Sequence, residues 1–182
     1  GHALEGGPDV YRRVKIAAGA QRRDTGFGAY GHYTHDGGFR DDSGVDEAKL
    51  NLLYDDVDLA GGTLRVRAAG TWLEQESAGY IRGFESYKDE AIVQTNDDRE
   101  AFRDAWSARG SAAWSRSACG GCADDLRFVV RRSQMDFLQH FLLGQPVERN
   151  GQESAGVMTS FEWDLGDRAD LMLVAGIVSL LP

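Results

Sequence analysis

No stretch of this sequence comes near the roughly 18 consecutive apolar residues that a membrane-crossing helix needs. The longest apolar run, residues 171–181, is too short and is interrupted by Gly176 and Ser179. A basic face is also missing. With 29 Asp and Glu against 20 Lys and Arg, the formal charge is −9, which argues against nucleic acid as a partner. Cysteine is scarce. Cys119 and Cys122 flank two glycines, with no second Cys/His pair to complete a zinc site; the next histidine, His140, stands alone. A redox-active pair of this spacing usually opens a helix after a strand, whereas this one sits in a Gly-rich turn. The simpler reading is a hairpin turn that a local Cys119–Cys122 disulfide would close in an oxidising compartment. There is no nucleophile–base–orienter set, no phosphate-cradling glycine loop and no metal cluster, so neither catalysis nor a cofactor is expected. A charged n-region followed by an apolar h-region is lacking too. The chain starts at Gly1 and ends on an apolar run at Pro182, and the expectation is an excised fragment, though a processed or tagged chain would look the same.

What is present is alternation with period two, the mark of strands with one apolar side. Between 63 and 72, Leu64, Val66, Ala68, Gly70 and Trp72 point one way and Thr63, Arg65, Arg67, Ala69 and Thr71 the other. Ala48, Leu50, Leu52 and Tyr54 likewise oppose Lys49, Asn51 and Asp55. Trp106, Ala108, Ala112 and Trp114 alternate with Ser107, Arg109, Ser111 and Ser115. Leu126, Phe128 and Val130 face away from Arg127 and Arg131. Ala155, Val157, Phe161 and Trp163 oppose Ser154, Gly156, Ser160 and Asp164. Val14, Ile16, Ala18 and Ala20 oppose Arg13, Lys15 and Gln21, and Phe27, Ala29 and Tyr33 lie in the next strand. Residues 171–181 make an eighth strand, apolar on both faces.

The connections separate by length. Those near 22–25, 57–62 and 165–170 are short, 117–125 is moderate, and 35–46, 74–101 and 134–153 are longer, in strict alternation. Outer-membrane barrels have this asymmetry, with short turns on one side and long loops on the other; a soluble sandwich has no reason for it. The expected fold is therefore all-β, an antiparallel up-and-down meander of about eight strands forming an open segment of a transmembrane β-barrel, with a short helical turn near 99–102 as a local alternative. The mean hydropathy of −0.42 fits this, since barrel strands are apolar only at alternate positions. Tyr54, Trp72, Trp106, Trp114 and Trp163 suit an interfacial aromatic girdle as well as an ordinary core.

Three segments resemble TonB-dependent receptors that handle siderophores or related scarce nutrients. They are residues 73–83 (Leu-Glu-Gln-Glu-Ser-Ala-Gly-Tyr-Ile-Arg-Gly) continuing to 87–89 (Tyr-Lys-Asp), residues 96–109 from Asn96 to Arg109, and residues 133–141 followed by 144–148 and 150–154. Arg40 and Asp41 with Ser43 and Gly44 are similar to the Asp/Gly-rich loop after an early hairpin of such receptors. The resemblance covers residues 10–165. It departs from the family at 96–100, which lacks the expected prolines, at Leu143, where a proline often precedes the glycine, and at 171–182. The plug domain and its TonB-contacting segment have no counterpart, so the chain is read as a partial barrel domain spanning 1–182.

The resemblance implies a non-enzymatic transport receptor in the outer membrane of a gram-negative bacterium, taking up a ferric siderophore or similar nutrient. Its partners would be the TonB complex through the plug, outer-membrane lipid and lipopolysaccharide, and a small-molecule ligand. Tyr80, Arg82, Tyr87, Arg99, Gln139 and His140 have the composition of a ligand-binding loop surface, although a lone His140 is more often structural. Arg65, Arg67, Arg109 and Arg131 would face the lumen, attracting an anionic chelate through carboxylate or catecholate oxygens or, more simply, touching the polar surface of a plug. Glu74, Glu76, Asp97 and Asp98 read as solvated loop charges or weak divalent-cation sites bridging lipopolysaccharide. The rival reading is a soluble all-β ligand- or carbohydrate-binding module with surface tryptophans.

Overall fold

The computed structural model describes residues 1–8, 10–119, 122–164 and 170–181. Nine strands make one antiparallel sheet in sequence order: β1 (His2–Gly6), β2 (Arg12–Arg22), β3 (Thr25–Asp36), β4 (Val45–Leu59), β5 (Gly62–Glu76), β6 (Phe102–Cys119), β7 (Cys122–Leu138), β8 (Val147–Asp164) and β9 (Asp170–Leu181). Helix among the described residues is confined to a 3-10 turn at Ser86–Lys88 and one α-turn, α1 (Glu90–Val93). The meander is open: β9 pairs only with β8, and β1 only with β2.

The ninth strand, β1, is the one that alternation did not reveal. It is five residues long and exposed throughout, held to β2 by its ladder and by the Glu5–Lys15 ion pair. The remaining eight fall where the periodicity put them. The helical alternative at 99–102 is not adopted; Ala101 N–H closes a turn on the Asp98 carbonyl and β6 begins at Phe102. Strands also reach further into the connections than composition suggested, so the loops shrink to 77–101 and 139–146, and the moderate connection to residues 120–121.

The turns follow from backbone chemistry. Ala60 and Gly61 both have positive φ (53° and 74°) between the paired residues Leu59 and Gly62. That is the conformation a two-residue hairpin requires to match strand twist, and glycine adopts it without steric cost. A bulge between Asp56 and Leu59 precedes the same turn.

Register fixes the faces, because residues directly paired lie on the same side. One row runs Tyr54–Val66–Ala112–Phe128–Val157–Ile177, and the next Leu52–Ala68–Gly110–Val130–Ala155–Ser179. Leu50, Leu52, Leu64, Val66 and Trp106 thus share an apolar face, and Arg65, Arg67, Arg109, Arg127 and Arg131 lie on the polar one. Among the described residues nothing covers the apolar face. Val14, Ile16, Phe27, Leu50, Phe128, Val130 and Val157 are all exposed, and among the described residues the only buried apolar side chain is Ala101. A water-soluble domain of this length buries most of its apolar surface; this sheet has no core of its own. β9 departs from the two-faced pattern. Met172, Val174, Val178 and Leu180 are exposed on the side where the other strands carry charge.

Candidate functional site

Two regions concentrate functional chemistry: the cluster of long loops at one end of the sheet, and the rows of charge on and beside its faces.

The three longer loops interlock. Arg40, from loop 37–44, donates from Nε and Nη2 to the Thr95 carbonyl (2.9 and 2.5 Å) and from Nη1 to the Gly79 carbonyl, both in loop 77–101. Asn96, only 5 % exposed, donates to the Asp42 carbonyl at 3.0 Å and accepts from Asp98 N–H at 3.0 Å. Asp41 N–H reaches the Gln94 carbonyl at 2.8 Å. Loop 139–146 joins through Gln145, which donates to Glu100 at 2.8 Å, and through His140, whose Nε2 is 4.0 Å from Asp98 Oδ2. Gly79 fits into the same junction, for a Cβ there would lie 2.0 Å from Asp98 Oδ2. Backbone groups in long loops need partners, and here side chains from neighbouring loops supply them.

Of the loop residues expected to bind ligand, the junction engages Arg99 and His140. Arg99 forms ion pairs with Asp41 and Asp42, each at 3.3 Å, so its guanidinium ties loop to loop. His140 packs edge-on against Phe141, with ring centroids 5.6 Å apart. Gln139 hydrogen-bonds Glu148 on β8. Tyr80 and Arg82 remain exposed and stacked, with the guanidinium 5.7 Å from the ring centre, and Tyr87 lies under Lys88 at the same distance. The acidic residues divide as well. Glu76 is exposed and accepts Gly44 N–H at 2.9 Å, whereas Asp98 is 17 % exposed and is not a plainly solvated loop charge. Glu74 belongs to a row the sequence did not reveal, Asp46–Glu74–Asp104–Asp136, paired in register across four strands on the apolar side of the sheet just beyond Trp72 and Trp106. Asp46 accepts from Tyr33 and His35 (2.5 and 2.9 Å) and Asp136 pairs with Arg149 at 3.2 Å. Among the described residues no group of three or more metal-ligating side chains is placed to hold an ion.

On the polar face the acids near the first strands are already used. Glu47 takes His32 at 3.0 Å and Lys49 at 2.6 Å, and Asp55 takes Arg67 at 2.7 Å. Arg65, Arg109, Arg127 and Arg131 have no ion-pair partner among the described residues. Arg67, Arg109 and Arg131 border one trough together with Tyr30, Asn51 and Ser154. The backbone sets Cys119 opposite Cys122; whether a disulfide joins them lies outside the described side chains.

The apolar face is bounded at both ends. At the loop side stand Trp72 and Trp106, directly paired, with the Arg132 guanidinium 5.7 Å from the Trp106 ring centre and bonded to Glu153 at 2.8 Å. At the turn side stand Trp114, with Arg116 stacked at 5.3 Å and paired to Asp124 at 3.0 Å, and Phe161 stacked on Trp163 at 6.1 Å. Both rims thus combine an aromatic with an arginine that is itself neutralised, and only uncharged side chains lie between them on β7: Leu126, Phe128 and Val130.

Comparison with protein-family models, with curated proteins and with solved structures finds no match to this chain.

Proposed function

We propose that the chain is a section of the wall of an outer-membrane β-barrel, and that the barrel is a TonB-dependent receptor importing a ferric siderophore or similar scarce nutrient into a gram-negative bacterium. The observation that carries the first half is the uncovered apolar face and its height. On β7 the charge-free stretch between Arg132 and Asp124, and on β4 that between Asp46 and Asp56, come to about 26 and 33 Å at roughly 3.3 Å per residue. The strands are also staggered. From the row through Tyr33, Trp72 and Gln134, the turn ends lie successively further away, at Thr25 on β3, Gly62 on β5 and Cys122 on β7. That is about one residue per strand. With short turns at one level and strands about 4.8 Å apart, it corresponds to a tilt of about 35°. Tilted, the apolar band is about 22–27 Å tall, the height that membrane barrels present to lipid.

Direction adds a constraint. In a nine-strand meander β1 and β9 run the same way, so antiparallel closure of this sheet needs an odd number of further strands between them. The second half of the proposal rests on the resemblance at 73–109 and 133–154, on the interlocked loops at one end, and on Arg65, Arg109, Arg127 and Arg131 of the polar face, which have no ion-pair partner among the described residues and suit an anionic chelate or the surface of a plug. The arginines bind through charge-assisted hydrogen bonds; no covalent step is involved.

The uncovered face weighs against the soluble binding module. The protein is expected in the outer-membrane fraction of cells, and as isolated material to need detergent. A monodisperse peak in detergent-free buffer would end the barrel reading. If the protein does fractionate with the outer membrane, uptake of labelled ferric chelates by cells with and without it tests the transport half separately.

A further inference from the structure

Loop 139–146 is held against loop 77–101 at two points, and both carry groups that change charge. His140 is the centre of the contact. Its side chain is 18 % exposed and Asp98 beside it 17 %, so the pair is largely sheltered, yet at 4.0 Å the imidazole is beyond hydrogen-bond reach of the carboxylate. Its Nδ1 is buried without a partner. Whichever nitrogen carries the proton in the neutral ring, no hydrogen bond among the described residues fixes it.

The charged groups around the imidazole are two carboxylates and Arg40, whose guanidinium is held on the carbonyl of Gly79, a residue whose Cβ position lies 3.5 Å from His140 Nε2. Loop 77–101 presents Asp98 at Nε2 and Glu100, which lies close enough for the imidazole to act on its ionisation. The cation next to them in sequence, Arg99, is engaged by Asp41 and Asp42 of loop 37–44. Within loop 139–146 the neighbours are uncharged: Gln139, turned to Glu148 of β8, and Gln145, turned to Glu100. A proton on His140 therefore meets two carboxylates, while Arg40, the cation of the junction, is engaged by the carbonyls of Gly79 and Thr95.

We propose that His140 is a pH-operated latch between the loops. In its neutral form the ring rests beside Asp98 without bonding it. When solvent protonates it, both nitrogens become donors, Nε2–H closes on Asp98 Oδ2, and loop 139–146 is drawn onto loop 77–101. Loss of the carboxylate charges on further acidification removes the attraction, so docking is tightest where imidazolium and carboxylates coexist. The latch is built from loop geometry alone and does not depend on transport.

Amide hydrogen exchange of the detergent-solubilised protein tests this, with the β5–β6 ladder as internal reference. Protection of the amides of residues 139–145 should rise about threefold as pH falls from 7.5 to 5.5, the effect of a partly exposed ion pair, and fall again towards pH 3. His140→Gln should abolish the rise while leaving the ladder protected, and Asp98→Asn should shrink it. Wild-type protection of 139–145 that is flat between pH 7.5 and 5.5, or a rise that survives in His140→Gln, would overturn the latch. If Gln at 140 unfolds the loop altogether, the Asp98→Asn profile decides, with an unchanged rise counting against the proposal.

Discussion

Arg109 on β6 and Arg131 on β7 face each other directly across the ladder, two guanidinium groups at paired positions on the polar face. Their register neighbours are Ala69 and Ser154, and no acid is bonded to either among the described residues. Like charges at paired positions oppose each other. The expected result is that Arg131→Gln stabilises the isolated chain in detergent by about 0.2–1 kcal/mol, the size of a cross-strand charge pair. Urea unfolding followed by tryptophan fluorescence reads it. A loss of stability would mean that Arg131 has a favourable partner.

How much of this was legible in the sequence divides along physical lines. The facing of Leu64 and Arg65, or of Phe128 and Arg127, could be read because a strand has two sides and apolar and polar residues alternate between them. β1 could not be read: five residues beside Gly6, Gly7 and Pro8 are too few for a periodicity, and it forms by docking on β2. The loop cluster was visible only as composition. Arg99 and His140 stood out as residue types, but their partners Asp41, Asp42 and Asp98 are set by how three loops meet, and Arg40 meets Thr95 across 55 residues of sequence. The row Asp46–Glu74–Asp104–Asp136 was illegible for a related reason. Each acid ends the apolar pattern of its own strand, and only the register shows that they align.

Arg40 should prove the tie that keeps loop 77–101 ordered. Its guanidinium serves two carbonyls, of Thr95 and Gly79, that β-pairing leaves unsatisfied. Hydrogen bonds to a charged group contribute about 1.5–3 kcal/mol, less where water competes as it does at Thr95. Arg40→Ala should therefore raise protease cleavage within 77–101 by about tenfold at an unchanged midpoint for unfolding of the sheet. Equal cleavage rates in the two proteins would show that the loop is held by other contacts.

The Glu100–Gln145 bond has a definite pH sign. A backbone hydrogen bond at Glu100 itself and then the Gln145 side chain hold the Glu100 carboxyl below its ordinary value against the opposing effect of burial, with the nearby His140 the smallest contribution. A lowered carboxylate contributes its stabilisation above the unfolded-state value and loses it as pH falls through the folded one. Attachment of residue Gln145 should thus weaken on acidification below the ordinary glutamate range, read as faster exchange of the Gln145 amides by NMR in detergent. Glu100→Gln should remove that acid step. An acid step of the same size in the variant would assign it to another group.

The sharpest test of which face meets lipid uses adjacent residues of one strand. Phe128 lies midway along β7 between the charged rims at Arg132 and Asp124, on the apolar face, and Val129 is its neighbour on the polar face. Both are backbone-paired in the same two ladders, so the hydrogen bonding of the strand is left alike when either is replaced. What differs is the solvent. An arginine at the lipid-facing midplane of a membrane barrel costs about 2–4 kcal/mol, whereas substitutions facing the interior alter selectivity rather than stability. In lipid bilayers, Phe128→Arg should lower the unfolding free energy by that amount and Val129→Arg by less than about 1 kcal/mol. In a soluble module the order would reverse. Phe128 is 48 % exposed, so a charge there would meet water and improve solubility. Equal effects at 128 and 129, or a stabilising Phe128→Arg, would remove lipid from the apolar face and with it the barrel.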